Sequence, residues 1–151
     1  MSIKAKYVHT NLIAEDWRKL AGFYEEVFGC KIVLPERDYK GKEIEAGTGI
    51  QNVHLRGAHL RLPGYPENGP TLEIFSYSPQ ENRNQAKINQ PGFGHIAFQV
   101  DDVEKAKEIV LSYGGKEIGD IVTLQVTSDS LVTWCYVADP ENNVIELQSW
   151  S

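Results

Sequence analysis

The sequence predicts an α+β fold built from two copies of one module, each a strand, a helix and about three further strands (βαβββ). The first observation is a repeated stretch: residues 7–16 and 93–102 both place a histidine on a short apolar strand and an aspartate before a helix. The second is that the two copies stay aligned through the helix to a glycine, Gly29 or Gly115. The third is that each copy closes on an apolar strand with a central glutamate.

Length, composition and charge restrict the class of protein. The chain has 151 residues, 41% of them hydrophobic, so it is long enough to bury a core as one domain of ordinary size. The net charge of −6, with no run of basic residues, argues against a nucleic-acid partner. The sequence contains no apolar stretch of membrane-helix length and no signal-peptide core, so we expect a cytoplasmic protein without a membrane partner. Cys30 and Cys135 are expected to be reduced thiols.

The first module is expected to span residues 5–77. A strand at residues 6–13 leads into a helix at 16–28, whose apolar residues recur every three or four positions. A short strand from Cys30 to Leu34 ends at Pro35, and residues 35–49 are expected to form a loop or a weak edge strand.

The rest of the first module is expected to be two or three strands and a loop. The segment from Ile50 to Leu62 is broken at Gly57 and Ala58, which indicates a bulge or a turn between two strands. Residues 62–70 are rich in Pro and Gly and form a loop, and residues 71–77 are a strand. Residues 78–91 then connect this module to the second.

The second module is expected to span residues 92–151. Asp102 caps a helix that runs from Val103 to Tyr113 and ends at the glycines 114 and 115. The remaining elements are predicted as strands at 117–126 and 131–138, a turn at 139–143 and a final strand at 144–148.

Four residues occupy equivalent places in the two modules and form a candidate metal site: His9, Glu73, His95 and Glu146. Side chains alternate between the faces of a strand, so Glu73 and Glu146 point away from the apolar residues that flank them, and His95 points away from Ile96. Taken singly, each is more often a solvated or hydrogen-bonded strand residue. Two imidazoles and two carboxylates from matching positions predict a divalent metal, and would leave open positions on octahedral Ni²⁺, Co²⁺, Mn²⁺ or Fe²⁺, whereas Zn²⁺ would expand its shell.

These features resemble the vicinal oxygen chelate superfamily, which has the glyoxalase/bleomycin resistance/dioxygenase fold. The segments Gly94–Asp102 and Asp139–Leu147 carry the resemblance best, and it covers nearly the whole chain. It implies two βαβββ modules whose mixed sheet curls around a metal cavity, a small-molecule substrate and a homodimer.

The resemblance also separates branches of the superfamily. Dioxygenases and fosfomycin-resistance enzymes bind their metal through the places matching His9, His95 and Glu146. Glyoxalase I has an acidic ligand at the place of Glu73, acyl-CoA epimerases usually have glutamine there, and bleomycin-binding members have lost the metal residues. The sequence therefore looks most like the glyoxalase I-like branch.

That branch implies a metal-dependent lyase or isomerase, similar to lactoylglutathione lyase. Such an enzyme transfers a proton next to a carbonyl through a metal-bound enediolate, with Glu73 or Glu146 as the base. The alternatives are an Fe(II) extradiol-type dioxygenase, an acyl-CoA epimerase, and a metal-free binding or resistance protein for a small planar ligand. Arg56 and Arg61 are candidates for binding glutathione, although solvated strand residues are the commoner case.

Two histidines of the first module and three aromatic residues could also lie near the site. His54 and His59 have no counterpart in the second module, and we expect them at the surface or rim, with contact to substrate as the alternative. Trp134, Tyr136 and Phe75 would line the cavity or belong to the core.

Overall fold

The computed structural model describes residues 2–83 and 87–151, which divide into two compact units, Met1–Asn82 and Arg83–Ser151. Within the described residues there are three helices and nine strands, and the strands form two mixed sheets. The predicted α+β class is confirmed. In each unit the first strand runs parallel to the last, and the remaining neighbours are antiparallel.

The first unit is a four-stranded sheet with one long and one short helix. The sheet order is β1-β4-β3-β2. Its elements are β1 (His9–Ile13), α1 (Trp17–Phe28), β2 (Lys31–Lys40), α2 (Lys42–Thr48), β3 (His54–Arg61) and β4 (Thr71–Ser78).

Helix α1 is specified by its ends and by one apolar face. The carboxylate of Asp16 accepts hydrogen bonds from the backbone N–H groups of Arg18 and Lys19, and Gly29 closes the helix in the left-handed conformation at φ 70°. Leu20 and Tyr24 are fully buried and belong to the face that contacts β3 and β4. Helix α1 therefore covers one face of this sheet and leaves the other face to be covered by other parts of the unit.

The second unit repeats the plan with a five-stranded sheet. Its strands follow the order β5-β9-β8-β6, and β7 pairs with β8 beyond that path. Asp102 accepts a hydrogen bond from the backbone N–H of Lys105, so the predicted cap is confirmed. The elements are β5 (Ile96–Gln99), α3 (Val103–Ser112), β6 (Lys116–Glu117), β7 (Val122–Thr127), β8 (Ser130–Ala138) and β9 (Val144–Trp150).

The prediction of a loop or weak edge strand at residues 35–49 was confirmed for residues 35–40, which belong to the edge strand β2, and was wrong for residues 42–48. Strand β2 continues past Pro35 to Lys40, and the helix α2 follows. Pro35 is accommodated because the pairing of β2 with β3 shifts between Val33 and Arg37, which places the proline in a bulge. None of the residues of helix α2 is buried, and its sequence accordingly lacks the regularly spaced apolar residues that mark a buried helix face.

The predicted break at Gly57 and Ala58 was also wrong. Strand β3 is continuous, and both residues pair with β4 in unbroken register. A Cβ atom at Gly57 would overlap the Phe75 ring and the Ile74 carbonyl and would lie 2.8 Å from Phe75 Cα. The glycine is therefore required by close packing and marks no turn.

The Phe75 ring that covers Gly57 belongs to a small apolar cluster with Val53 and Leu55, against which Ile44 of α2 packs. Gly57→Ala should therefore destabilise the protein by about 1–3 kcal/mol, because the ring and the β4 backbone must both shift. Gly22→Ala on α1 is the matched control: its Cβ would meet nothing within 4 Å, and removing a helical glycine should stabilise by roughly 0.5–1 kcal/mol. Urea unfolding of both variants measures this, and equal destabilisation by the two would contradict it.

Part of the predicted connector, residues 84–86, lies outside the described residues. Of its remainder, neither 79–83 nor 87–91 contains a helix or strand. Among the helices in the described part of the chain, none combines the length and the apolar character needed to cross a membrane.

Candidate metal site

Glu73 lies at the centre of the first unit's sheet, on the face opposite α1. Strand β4 is flanked by β1 and β3, and the register places Asn11 on one side of Glu73 and His59 on the other. Residues directly opposite one another on paired strands project to the same face. The flanking Leu72 and Ile74 point the other way and are fully buried, so the fold presents the carboxylate at a defined place.

The Glu73 carboxylate is held by two imidazoles and an amide. His9 Nε2 lies 2.9 Å from Oε2, and His59 Nε2 lies 2.9 Å from Oε1. Asn11 Nδ2 donates a weaker hydrogen bond of 3.4 Å to Oε2. Only 12% of the Glu73 side chain is exposed, whereas 39% of the His9 side chain is, so the cluster opens to solvent on the His9 side.

His59 has a defined place in this hydrogen-bond chain. Its Nδ1 lies 3.2 Å from Thr71 Oγ1, while its Nε2 faces Glu73. Burial lowers the pKa of His59 below its ordinary value; Glu73 opposes that shift, and Arg37 and His9 add to it. At neutral pH the imidazole is therefore uncharged, and its Nε2–H donates to Glu73 when the Thr71 hydroxyl donates to Nδ1.

The donor set of this cluster fits a divalent metal. One ligand atom each from His9, His59 and Glu73 can be chosen so that all lie within 4.8 Å of one another. Imidazole nitrogen with carboxylate oxygen is a combination that suits Zn²⁺, Ni²⁺, Co²⁺ and Fe²⁺. The three residues could therefore hold such an ion, and the donor set does not identify which one.

The second unit contains the equivalent histidine–glutamate pair. His95 Nε2 lies 2.9 Å from Glu146 Oε2, and the two side chains are 34% and 20% exposed. Tyr136 is directly opposite Glu146 on the neighbouring strand, and its ring centroid lies 5.1 Å from that of His95. Trp134 packs edge-on against Tyr136 at 5.0 Å. The pair thus sits beside an aromatic surface on one face of β8 and β9.

The family model for the Glyoxalase/Bleomycin resistance protein/Dioxygenase superfamily matches residues 6–147. The chain belongs to this superfamily. A curated relative is distantly similar: the chain is 26% identical over 152 residues to a lactoylglutathione lyase from Schizosaccharomyces pombe. The aligned region covers 97% of this chain and 48% of the relative. The chain thus spans about half the length of that protein.

Solved structures of the superfamily share the fold. A glyoxalase family protein from Bacillus cereus superimposes with a TM-score of 0.76 at 17% identity, over 99% of this chain and 95% of that chain. A glyoxalase I variant from Zea mays gives a TM-score of 0.65 at 23% identity, over 95% of this chain and 44% of that chain. A fosfomycin resistance protein from Listeria monocytogenes gives 0.55 at 15% identity, over 99% and 94%.

For this superfamily member, the structure joins the four predicted ligands in two pairs. His9 contacts Glu73 in one unit, and His95 contacts Glu146 in the other. That all four bind one ion stays a prediction. His59, expected at the surface or rim, is 23% exposed and contacts Glu73, so it belongs to the cluster in a way that the sequence did not indicate. His54 does pair outside the cluster, with Asp38 at 2.7 Å.

Arg56, one of the two candidate arginines, lies on the sheet face away from the Glu73 cluster. Arg56 lines a groove with Trp17 and Arg18 of α1, so it lies on the other face of β3 from His59.

The thiols of Cys30 and Cys135 are unsuited to act as nucleophiles, since both are buried. Burial raises the pKa of Cys30 to about 12, with a further contribution from Glu25, and burial also raises the pKa of Cys135.

Proposed function

We propose that this protein is a metal-dependent, glyoxalase-like lyase or isomerase that transfers a proton at the carbon next to a carbonyl group. The observation that carries the proposal is the placement of Glu73: a nearly buried carboxylate held between two imidazoles on the sheet face opposite α1. A general base must be fixed within hydrogen-bonding reach of its proton while keeping a free lone pair. A carboxylate oxygen has two lone pairs, so Glu73 can accept a substrate proton while the imidazoles hold it.

His59 supports the base without neutralising it. Because its pKa is lowered, the ring is uncharged and holds Oε1 by a hydrogen bond alone. A charged imidazolium in the same place would stabilise the carboxylate as an anion and so weaken it as a base. Thr71 and Asn11 fix the neighbouring groups, the first through His59 Nδ1 and the second through Glu73 Oε2.

A divalent metal, when bound, would polarise the substrate carbonyl and make the neighbouring carbon more acidic. In this proposal His9, Glu73, His95 and Glu146 hold that ion, and Glu73 or Glu146 takes the proton. The relative named lactoylglutathione lyase supports a carbonyl substrate of the hemithioacetal type, and an acyl-CoA epimerisation would use the same proton transfer.

One observation favours a second candidate, an Fe(II) oxygenase of the extradiol type. His9, His59 and Glu73 supply two histidines and one carboxylate, which is the ligand set of many non-haem iron oxygenases. The sequence had suggested a different triad for that chemistry, His9, His95 and Glu146. A metal-free binding protein is less well supported, because every predicted ligand is retained in a histidine–glutamate contact.

The direct test is proton exchange against oxygen consumption. We expect the purified protein to exchange deuterium from D₂O into a substrate hemithioacetal, to lose this activity on chelation and to regain it when divalent metal is returned. The panel includes hemithioacetals of 2-oxoaldehydes, acyl-CoA thioesters and catechols. Oxygen uptake with a catechol, in place of deuterium exchange, would reject the lyase or isomerase proposal in favour of the oxygenase. The homodimer and the cytoplasmic location stay predictions.

A further inference from the structure

Helix α2 lies in a connection that is much longer in the first unit than in the second. Residues 41–53 join β2 to β3, whereas residues 128 and 129 suffice to join β7 to β8. The two pairs of strands are equivalent: β3 and β8 each lie beside the closing strand of their sheet, and β2 and β7 pair with them on the other side. A tight turn can therefore make this connection, and the longer segment with α2 needs another explanation.

This segment covers one end of the sheet face that carries Glu73. Ile44 of α2 packs on the apolar cluster to which Phe75 belongs. Phe75 is two residues from Glu73 on β4, so the two side chains share a face and leave the strand roughly 7 Å apart. Helix α2 thus lies beside the candidate metal site, on the same side of the sheet.

A series of contacts leads from α2 to the Glu73 carboxylate. The Phe75 ring lies over Gly57 on the neighbouring strand, where a Cβ atom would overlap it. The ring is edge-on to the imidazole of His59, with 6.1 Å between the ring centroids and 84° between the planes. His59 Nε2 in turn lies 2.9 Å from Glu73 Oε1. A displacement of Ile44 would therefore be felt at His59 through one intervening ring.

The helix is weakly held on the sheet. Its seven residues are too few for helix propensity alone to stabilise it, and none of them is buried. Gly41 and Gly49 bound it at φ 108° and 72°, where glycine is favoured and the backbone can change direction at low cost. A segment with so little buried apolar surface opens at a much lower free energy than the central strands of a sheet.

We infer that α2 is a lid that opens about Gly41 and Gly49 while the sheet beneath it stays folded. In the closed position Ile44 covers the cluster and holds the Phe75 ring against His59. In the open position the Phe75 end of the Glu73 face is exposed to water. Closure of such a segment shields a site from water and completes it. Because opening is a property of the fold, it is expected whether the site transfers protons or activates oxygen.

Amide hydrogen exchange of the metal-free protein, followed by NMR, tests the lid. The reporters are the N–H groups of Glu45 and Gly49, which donate to the carbonyl oxygens of Gly41 and Glu45. We expect them to exchange through local opening, at rates that low concentrations of urea leave unchanged, because opening the lid exposes little surface. The amides of the central strand β4 should exchange more slowly, through global unfolding, and urea should accelerate them.

Ile44→Ala and Ile50→Ala form a matched pair within this segment. Ile44 is half-buried on the cluster, whereas Ile50 lies outside the cluster and is 37% exposed. Ile44→Ala should accelerate exchange at Glu45 and Gly49 about tenfold, as expected for truncating a half-buried isoleucine, and leave β4 unchanged. Ile50→Ala should change neither. Ile44→Val, with a smaller acceleration of about threefold, serves if Ile44→Ala does not fold.

The contact between Phe75 and His59 supplies a second readout. The imidazole resonances of His59, identified by their loss in His59→Gln, should shift in Ile44→Ala and stay in place in Ile50→Ala. An unchanged His59 signal in Ile44→Ala would overturn the coupling of the lid to the site.

Two exchange results would overturn the lid itself. If α2 and β4 exchange at the same rate, or Ile44→Ala accelerates both equally, α2 opens only when the whole unit unfolds. If the α2 amides of the wild type exchange as fast as those of an unstructured peptide, no closed position is populated. Both results are independent of any activity, so failure of the proposed function is distinguished from failure of the lid.

Discussion

Replacing Glu73 by glutamine should reduce deuterium exchange at the carbon next to the carbonyl by about 10²–10⁴-fold. Glutamine keeps the shape of the side chain and one oxygen, so it can still contact His9 and His59, which lie 2.9 Å from the two carboxylate oxygens. It lacks the negative charge and cannot accept a proton at neutral pH. Metal should therefore be retained, with weaker affinity, while the proton-transfer step is lost.

Two variants control this experiment. Glu146→Gln makes the same change in the His95 pair of the second unit, and a larger loss there than in Glu73→Gln would assign the base to Glu146. Glu43→Gln, on the exposed face of α2, should leave exchange unchanged. Thermal melts establish that all three fold. Oxygen uptake with a catechol would reject the isomerase mechanism. It should persist in Glu73→Gln if the oxygenase triad is His9, His95 and Glu146, and be lost there if the triad is His9, His59 and Glu73.

The features that could be predicted are those that strand alternation and the internal repeat both specify. Glu73 and Glu146 each lie between two apolar residues on a closing strand, so their direction follows from the period of a strand. Each is also one parallel strand away from the matching histidine, and the structure shows both contacts at 2.9 Å. The caps at Asp16 and Asp102 were predictable for a different reason: capping depends on local backbone geometry, and the repeat places an aspartate before each helix.

The residues that were missed depend on packing between distant segments. His59 has no counterpart in the second module. The break assumed at Gly57 also left undecided which residues of β3 lie on the same face of the sheet. Had β3 been treated as continuous, alternation would have placed His59 and Arg61 on the face opposite Leu60. Nothing local to Gly57 indicates that the Phe75 ring, from another strand, lies over it.

The helix α2 was missed for a related reason. It has seven residues, Lys42–Thr48, which is too short for intrinsic helix propensity to stabilise it alone. Its support comes from Ile44, which packs on the cluster of Val53, Leu55 and Phe75. A single apolar residue in a charged segment gives no periodic signal, so only the folded sheet reveals the contact.

The His59 contact gives the metal proposal a sharp alternative, and histidine substitutions separate the two. If His9, Glu73, His95 and Glu146 bind one ion, His9→Ala and His95→Ala should each lower metal affinity by roughly 100-fold or more, because even an outer-shell partner of a metal ligand is worth about 10–100-fold. His59→Ala should then have the smaller effect of an outer-shell group. His54→Ala is the control, since His54 pairs with Asp38 outside the cluster.

Elemental analysis of the purified variants, with competition against a chelator, measures these affinities per chain. His95→Ala should fold normally, because a third of its side chain is exposed and its contacts are to Glu146 and Tyr136 on the open face of the sheet. Full metal content in His95→Ala, together with loss in His59→Ala, would contradict the four-residue set. The ion would then belong to His9, His59 and Glu73 alone, whose ligand atoms already lie within 4.8 Å of one another.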